Sequence, residues 1–203
     1  MKKFALMLLG SLCVGVGCIS TDWKQTVSNQ TVVERSNQDN VGVEAGDTPL
    51  ILACKTDNVK KVRELLATGI DVNAANAKGN TPLMAASEAG HADIIKVLGE
   101  NKQLDLEAMN WNMDTALMLA VRNQQVAAVK ALIALGANVN FIKAGMSVLI
   151  AASYRGNAEI VKALLEGGAD TVWADENGDT ALDVAIATNQ PQIAALLQQY
   201  SRR

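Results

Sequence analysis

The sequence predicts an all-α fold built as a stack of repeated helix-turn-helix units, and three observations carry that expectation. A motif of related composition recurs five times, as Thr48-Pro49-Leu50, Thr81-Pro82-Leu83, Thr115-Ala116-Leu117, Ser147-Val148-Leu149 and Thr180-Ala181-Leu182, at spacings of 33, 34, 32 and 33 residues. Each copy is followed by two short apolar patterns with the helical period instead of the alternation of a strand. The third observation is composition: 49% of the 203 residues are hydrophobic, yet seven are aromatic and 31 are alanine. A core of Ala, Leu, Val and Ile suits thin layers of closely packed helices better than a sandwich or barrel.

Read from the N-terminus, the chain opens on Lys2 and Lys3 and an apolar run from Phe4 to Gly17, the charged start and short hydrophobic stretch of an export signal. The run is shorter than the roughly 20 residues that a membrane-spanning helix needs. It ends in Gly15-Val16-Gly17-Cys18, which resembles the lipobox of bacterial lipoproteins, with Gly15 where that pattern usually has Leu. The resemblance implies that Cys18 is lipidated and becomes the first mature residue. Ile19 follows it where an inner-membrane retention signal would place Asp, which implies an outer-membrane lipoprotein facing the periplasm. Cleavage by an ordinary signal peptidase, leaving a soluble periplasmic or secreted protein, is the alternative, and an uncleaved anchor a further one.

Loss of residues 1–17 removes Lys2 and Lys3 and takes the formal charge from −3 to −5. Such a chain has no long-range attraction for phosphate backbones and no local basic patch, so nucleic acid is excluded as a partner. Cys13 leaves with the signal and Cys18 takes lipid, so Cys54 remains as a single thiol, read as a small core residue. From Ile19 to Val41, 12 of 23 residues are Ser, Thr, Asn or Gln, without Gly or Pro, which predicts a disordered tether. As a flexible coil it would reach on the order of 25 Å. The predicted organisation is therefore signal peptide 1–17, lipidated Cys and tether 18–41, and a repeat domain 42–203.

Within that domain, Thr or Ser opens each first helix as a cap, and Pro49 and Pro82 sit where a missing N–H costs nothing. Ala53, Ala86, Ala120, Ala152 and Ala185 let successive first helices approach closely. The second helices carry Val59, Val62, Leu65 and Leu66; Ile94, Ile95, Val97 and Leu98; Val126, Val129, Leu132 and Ile133; Ile160, Val161, Leu164 and Leu165; Ile193, Leu196 and Leu197. Turns follow at Gly69-Ile70-Asp71-Val72-Asn73, Leu104-Asp105-Leu106, Gly136-Ala137-Asn138-Val139-Asn140 and Gly168-Ala169-Asp170, where the recurrent Asp71, Asp105 and Asp170 read as turn residues.

These residues resemble the ankyrin repeat family, with its Thr-Pro-Leu opening and Gly-Ala-Asp-Val-Asn close, over residues 42 to about 200. The resemblance implies an ankyrin-repeat solenoid of five helix-turn-helix repeats with hairpin-like connecting loops, at about 42–74, 75–108, 109–141, 142–173 and 174–203. The family often has His directly after Thr-Pro-Leu. Here Ile51, Met84, Met118, Ile150 and Asp183 stand there, so the hydrogen-bond network of that His is expected to be absent throughout. Between the helices Gly90 and Gly156 match the family, whereas Asp57, Gln124 and Asn189 replace Gly. With Met113 also standing for Gly, the third repeat is the most irregular, and the polar end Gln198-Gln199-Tyr200-Ser201-Arg202-Arg203 suits a terminal cap.

No catalytic or metal-binding set emerges. His91 is the single His, at a turn or cap position, and there is no Ser-His-Asp, Cys-His or Cys/His cluster and no phosphate-binding glycine loop. No cofactor is expected. Members of the resembling family usually bind proteins through hairpin tips and the exposed side of the first helices. Carried onto this chain, those positions include Trp111, Arg122, Asn123, Lys143, Met146, Tyr154 and Arg155, a concentration of the residue types that most often dominate interfaces. They are the predicted partner-binding residues; packing of Trp111 and Tyr154 on neighbouring loops is the alternative reading, and Phe141 and Trp173 are edge positions. The expected function is a monomeric, envelope-tethered protein-binding module that captures another periplasmic or envelope protein on its concave face, as inhibitor, immunity protein or scaffold. An enzyme or small-ligand-binding protein with a site hidden from the motifs is the alternative, and a structural spacer the third possibility.

Overall fold

The computed structural model describes residues 46–201. The signal at 1–17, Cys18, the tether at 19–41, the opening of the first repeat at 42–45, and Arg202-Arg203 lie outside the described residues. Ten described helices form five pairs: α1 (Pro49–Lys55) with α2 (Val59–Ala67), α3 (Pro82–Ala89) with α4 (Ala92–Gly99), α5 (Ala116–Arg122) with α6 (Val126–Leu135), α7 (Val148–Arg155) with α8 (Ala158–Glu166), and α9 (Ala181–Ala187) with α10 (Pro191–Tyr200). The fold is thus the predicted all-α repeat array. No described helix is long and apolar enough to cross a membrane.

Each pair starts where the recurrent hydroxyl residue lies. Thr48, Thr81, Thr115, Ser147 and Thr180 accept the backbone N–H three residues ahead at 3.2 or 3.3 Å. Each cap satisfies an amide that the helix itself leaves free, an effect of about 1 kcal/mol. First helices pack on first helices from α1 through α3, α5 and α7 to α9, and second helices do the same from α2 to α10. The alanines make the first layer thin: Ala86, Ala120, Ala152 and Ala185 have no exposed surface, and Ala53 is buried beside them. Cys54 is buried in the same layer, and burial pushes its thiol pKa up to about 12. It stays protonated and acts as a small apolar residue.

A ladder of side-chain-to-backbone bonds joins the turns after the second helices. Asp71, Asp105, Asn138 and Asp170 each accept the N–H two residues on, at 2.8 or 2.9 Å. Asn73 then accepts the N–H of Asp105 at 3.0 Å, Glu107 that of Asn138 at 2.8 Å, and Asn140 that of Asp170 at 2.8 Å. One residue of each turn therefore folds its own loop, and in the first three turns another pins the turn that follows, which accounts for acids recurring there without a catalytic partner.

Where the family often has His, Asp183 makes a capping network of its own. It closes a capping box with Thr180, whose hydroxyl and backbone N–H donate to the carboxylate at 2.6 and 2.9 Å. These bonds hold its carboxyl below the usual carboxylate range. The contribution of this cap is therefore full above the ordinary carboxylate pKa and is lost as pH falls through the lowered folded value.

Left-handed backbone falls at Asp57, Met113, Gln124, Ala144 and Asn189 among non-glycine residues. Asp and Asn tolerate that conformation through their short polar side chains, but Met113 (φ 59°) and Gln124 (φ 57°) have no such relief. Both lie in the third repeat. Met113→Gly and Gln124→Gly are each expected to stabilise the fold by about 1 kcal/mol, which raises the thermal midpoint by about 2–4 °C for a domain of this size. Calorimetry of the two variants reads this directly, and a lowered midpoint in both would remove backbone strain as a feature of this repeat.

A cleft between the third and fourth repeats as candidate functional site

The hairpin that opens the fourth repeat departs from the others, and the departure begins in the spacing. The 32-residue interval from Thr115 to Ser147 leaves this tip one residue shorter than those before Thr81, Thr115 and Thr180. At those longer tips an Asn or Asp side chain closes the loop: Asn76 accepts from Lys78 and Asn80, Asn110 from Asn112 and Asp114, and Asp175 from Asn177 and Asp179. The fourth tip has Lys143 instead and forms a short antiparallel pair, β1 (Ile142–Lys143) with β2 (Met146–Ser147), in the register Ile142 to Ser147 and Lys143 to Met146. Ala144 (φ 47°) and Gly145 (φ 76°) make the two-residue turn, whose right-handed twist needs positive φ at both positions.

The same change alters how neighbouring tips are joined. Asn76 donates to Asp47 at 2.8 Å, and Asn110 donates to Asn80 at 2.8 Å. At the next junction an ammonium takes the place of the amide, and Lys143 Nζ reaches Asp114 Oδ1 at 2.5 Å. Arg122 Nη1 holds the other oxygen of Asp114 at 2.8 Å, so one buried carboxylate carries two cations.

These elements enclose an open cleft of about 390 Å³ lined by Asp114, Met118 and Arg122 from the third repeat and by Lys143, Ala144, Met146, Ala151, Tyr154 and Arg155 from the fourth. Met118 and Arg122 are four residues apart on α5, and Ala151, Tyr154 and Arg155 share one face of α7, so two adjacent first helices form the floor. The short hairpin forms the remaining wall. Tyr154 is 66% exposed and Met146 40%, an apolar pair left open to solvent. No ion pair to Arg155 forms among the described residues.

Five of the seven predicted partner-binding residues, Arg122, Lys143, Met146, Tyr154 and Arg155, thus come together. Trp111 and Asn123 do not line the cleft. Asn123 turns its amide to Leu119 O at 2.9 Å at the end of α5. Trp111 is 78% exposed, and its ring edge passes over Gly79, where an added Cβ would meet Cδ1 at 3.1 Å. Phe141 packs against the core, and Trp173 Nε1 donates to Gly145 O at 3.4 Å. His91 stands at the start of α4 without capping it; its Nε2 lies 3.3 Å from Lys55 O and its Nδ1 3.4 Å from Asp57. Asp114, Met118, Ala144 and Ala151 are the lining residues outside the predicted set. Asp114 had a signal, since it lies directly before the cap and eight residues before a cation, as Asp47 does before Lys55, which it pairs at 2.9 Å. Among the described residues no group of three or more His, Cys, Asp or Glu is placed to hold a metal ion.

Comparison with known proteins agrees with this architecture. A family model described as ankyrin repeats (3 copies) matches residues 24–110, 75–143 and 117–202. The chain is 28% identical over 151 residues to an L-asparaginase of Dirofilaria immitis, covering 73% of this chain and 25% of that protein. It is 30% identical over 148 residues to the potassium channel AKT2/3 of Arabidopsis thaliana, covering 73% and 18%. It is also 30% identical over 143 residues to the ankyrin repeat and SAM domain-containing protein 6 of Mus musculus, covering 70% and 13%. The chain spans a quarter or less of the length of these relatives.

Proposed function

The chain belongs to the ankyrin-repeat family, and on that premise we propose that it is a non-enzymatic protein-binding module, tethered to the cell envelope through Cys18, that holds another extracytoplasmic protein against the cleft of the third and fourth repeats. The observation that carries this reading is the open wall of exposed Tyr154 and Met146 beside Arg155. A small ligand is usually held by burying 70–90% or more of its surface, which an open cleft does not provide, whereas a protein surface can close over it. Exposed apolar side chains rimmed by charge are the common form of an interaction site. The relatives share no activity by name, and a binding module recurring in otherwise different proteins fits that diversity. Partners of this kind include an enzyme to be inhibited, a toxin to be neutralised or a subunit to be scaffolded, and location on the outer membrane facing the periplasm is part of the proposal.

The test is a cross-linking pull-down from fractionated cell envelopes with three forms of the full chain. The native chain is expected in the membrane fraction with its partner. Cys18→Ser is expected in the soluble fraction. Trp111→Ala/Tyr154→Ala/Arg155→Ala is expected in the membrane with the partner lost and the melting temperature unchanged. Membrane association of Cys18→Ser refutes the lipid anchor, and undiminished recovery with the triple variant refutes the binding face.

A further inference from the structure

At the cleft, the fourth repeat differs in chemistry from its neighbours at equivalent positions. In the first and third repeats the residue before the helix cap is an acid, and eight residues later stands a cation that it binds: Asp47 with Lys55 at 2.9 Å and Asp114 with Arg122 at 2.8 Å. In the fourth repeat these same two positions are Met146 and Tyr154. An ion pair has been exchanged for two apolar side chains, and both remain exposed, so the exchange adds little to the core. Three residues before Tyr154 on the same helix, Leu52 and Leu119 of those two repeats are replaced by Ala151, which keeps the floor low under Tyr154. Met118 and Met146 complete the apolar lining with side chains that adapt their shape to a guest.

The charge of the cleft points the same way. Arg122, Lys143 and Arg155 face one carboxylate, Asp114, in a chain whose net formal charge is −3. Asp114 is already engaged on both oxygens, by Arg122 and by Lys143. Arg155 has no acidic partner among the described residues; Glu176 rests against Gly145 and does not line the cleft. A guanidinium beside an apolar floor is suited to a carboxylate carried close to a hydrophobic side chain, because the planar fork binds both carboxylate oxygens and is more weakly hydrated than an ammonium.

We propose that the cleft between the third and fourth repeats receives a protein segment in which a large apolar side chain lies next to an Asp or Glu, the apolar group entering between Met118, Met146, Ala151 and Tyr154 and the carboxylate binding Arg155. This inference rests on the protein-binding reading and names the partner's chemistry. The probes are fluorescein-labelled 12-residue peptides with a central Phe flanked on both sides by Asp, by Asn or by Lys, and an Asp-flanked peptide with a central Ala. Anisotropy titrations use the full chain carrying Cys18→Ser. The Asp-flanked Phe peptide is expected to bind at least tenfold more tightly than the Asn-flanked or Ala-centred peptides, with no binding of the Lys-flanked one. Ala151→Leu, which restores the residue of the first and third repeats, is expected to weaken binding at least tenfold at an unchanged melting temperature. Arg155→Glu is expected to transfer the preference to the Lys-flanked peptide. Equal binding of Asp- and Asn-flanked peptides, no effect of Ala151→Leu, or no binding of any peptide overturns the inference. The pull-down with the triple variant separates the two failures: partner loss there keeps the protein-binding face while discarding this chemistry, and undiminished recovery discards both.

Discussion

Truncation of Leu132 to alanine is expected to destabilise the fold by about 2–5 kcal/mol and to split its thermal unfolding into two transitions. Leu132 is completely buried in α6, which packs on α4, α5 and α8. The cavity left behind therefore weakens the third repeat and both of its junctions together. In a repeat array stability is nearly a sum of unit and neighbour-interface contributions, so cooperativity depends on the middle unit being strong enough to couple its flanks. Here the middle unit is already burdened by the left-handed Met113 and Gln124. The control is Leu197→Ala in α10, equally interior but in the last described repeat, where loss of packing frees one end and leaves the other junctions intact. Hydrogen exchange resolved by repeat distinguishes the two: early exchange throughout the third repeat for Leu132→Ala, and exchange confined to α9 and α10 for Leu197→Ala. A single coincident transition in both variants, displaced equally, would falsify the uncoupling argument.

The features that were legible in the sequence are the ones that recur. Thr48, Thr81, Thr115, Ser147 and Thr180 do the same capping in each repeat, and the stacked alanines occupy the same place, so a motif read five times is five readings of one local rule. The turn acids were legible for the same reason. Contacts across a junction were harder, because their partners lie about 30 residues apart and the junctions are not all made alike. Asn76 to Asp47 and Asn110 to Asn80 are amide links, whereas Lys143 to Asp114 is ionic. Choosing Arg122 and Lys143 from exposed repeat positions identified cations at the site but missed the buried acid that restrains both. Ala151 was overlooked because its role is to leave space, which becomes visible only beside Leu52 and Leu119. Trp111 stands out in the sequence as a rare aromatic, yet its ring lies along Gly79 and outside the cleft.

The two cations of that junction are expected to be worth more to the fold than the acid they surround. In Arg122→Met/Lys143→Met the carboxylate of Asp114, whose side chain is 4% exposed, loses both of its ionic partners, and a charge stranded in a buried site costs about 3–5 kcal/mol. In Asp114→Asn the opposite charges are released instead. Arg122 and Lys143 keep 43% and 27% of their side-chain surface exposed, and long side chains with that access regain water when the acid is gone. The loss should then be nearer the 1.5–3 kcal/mol of a charged hydrogen bond. Adding Asp114→Asn to the double-methionine variant is expected to recover part of its stability, since it removes the stranded charge. Urea titrations of the three variants measure the coupling, with the denaturant slope checked for constancy. If the methionine pair proves no more damaging than Asp114→Asn, or if the triple variant is the least stable of all, Asp114 is not the charge on which the junction turns.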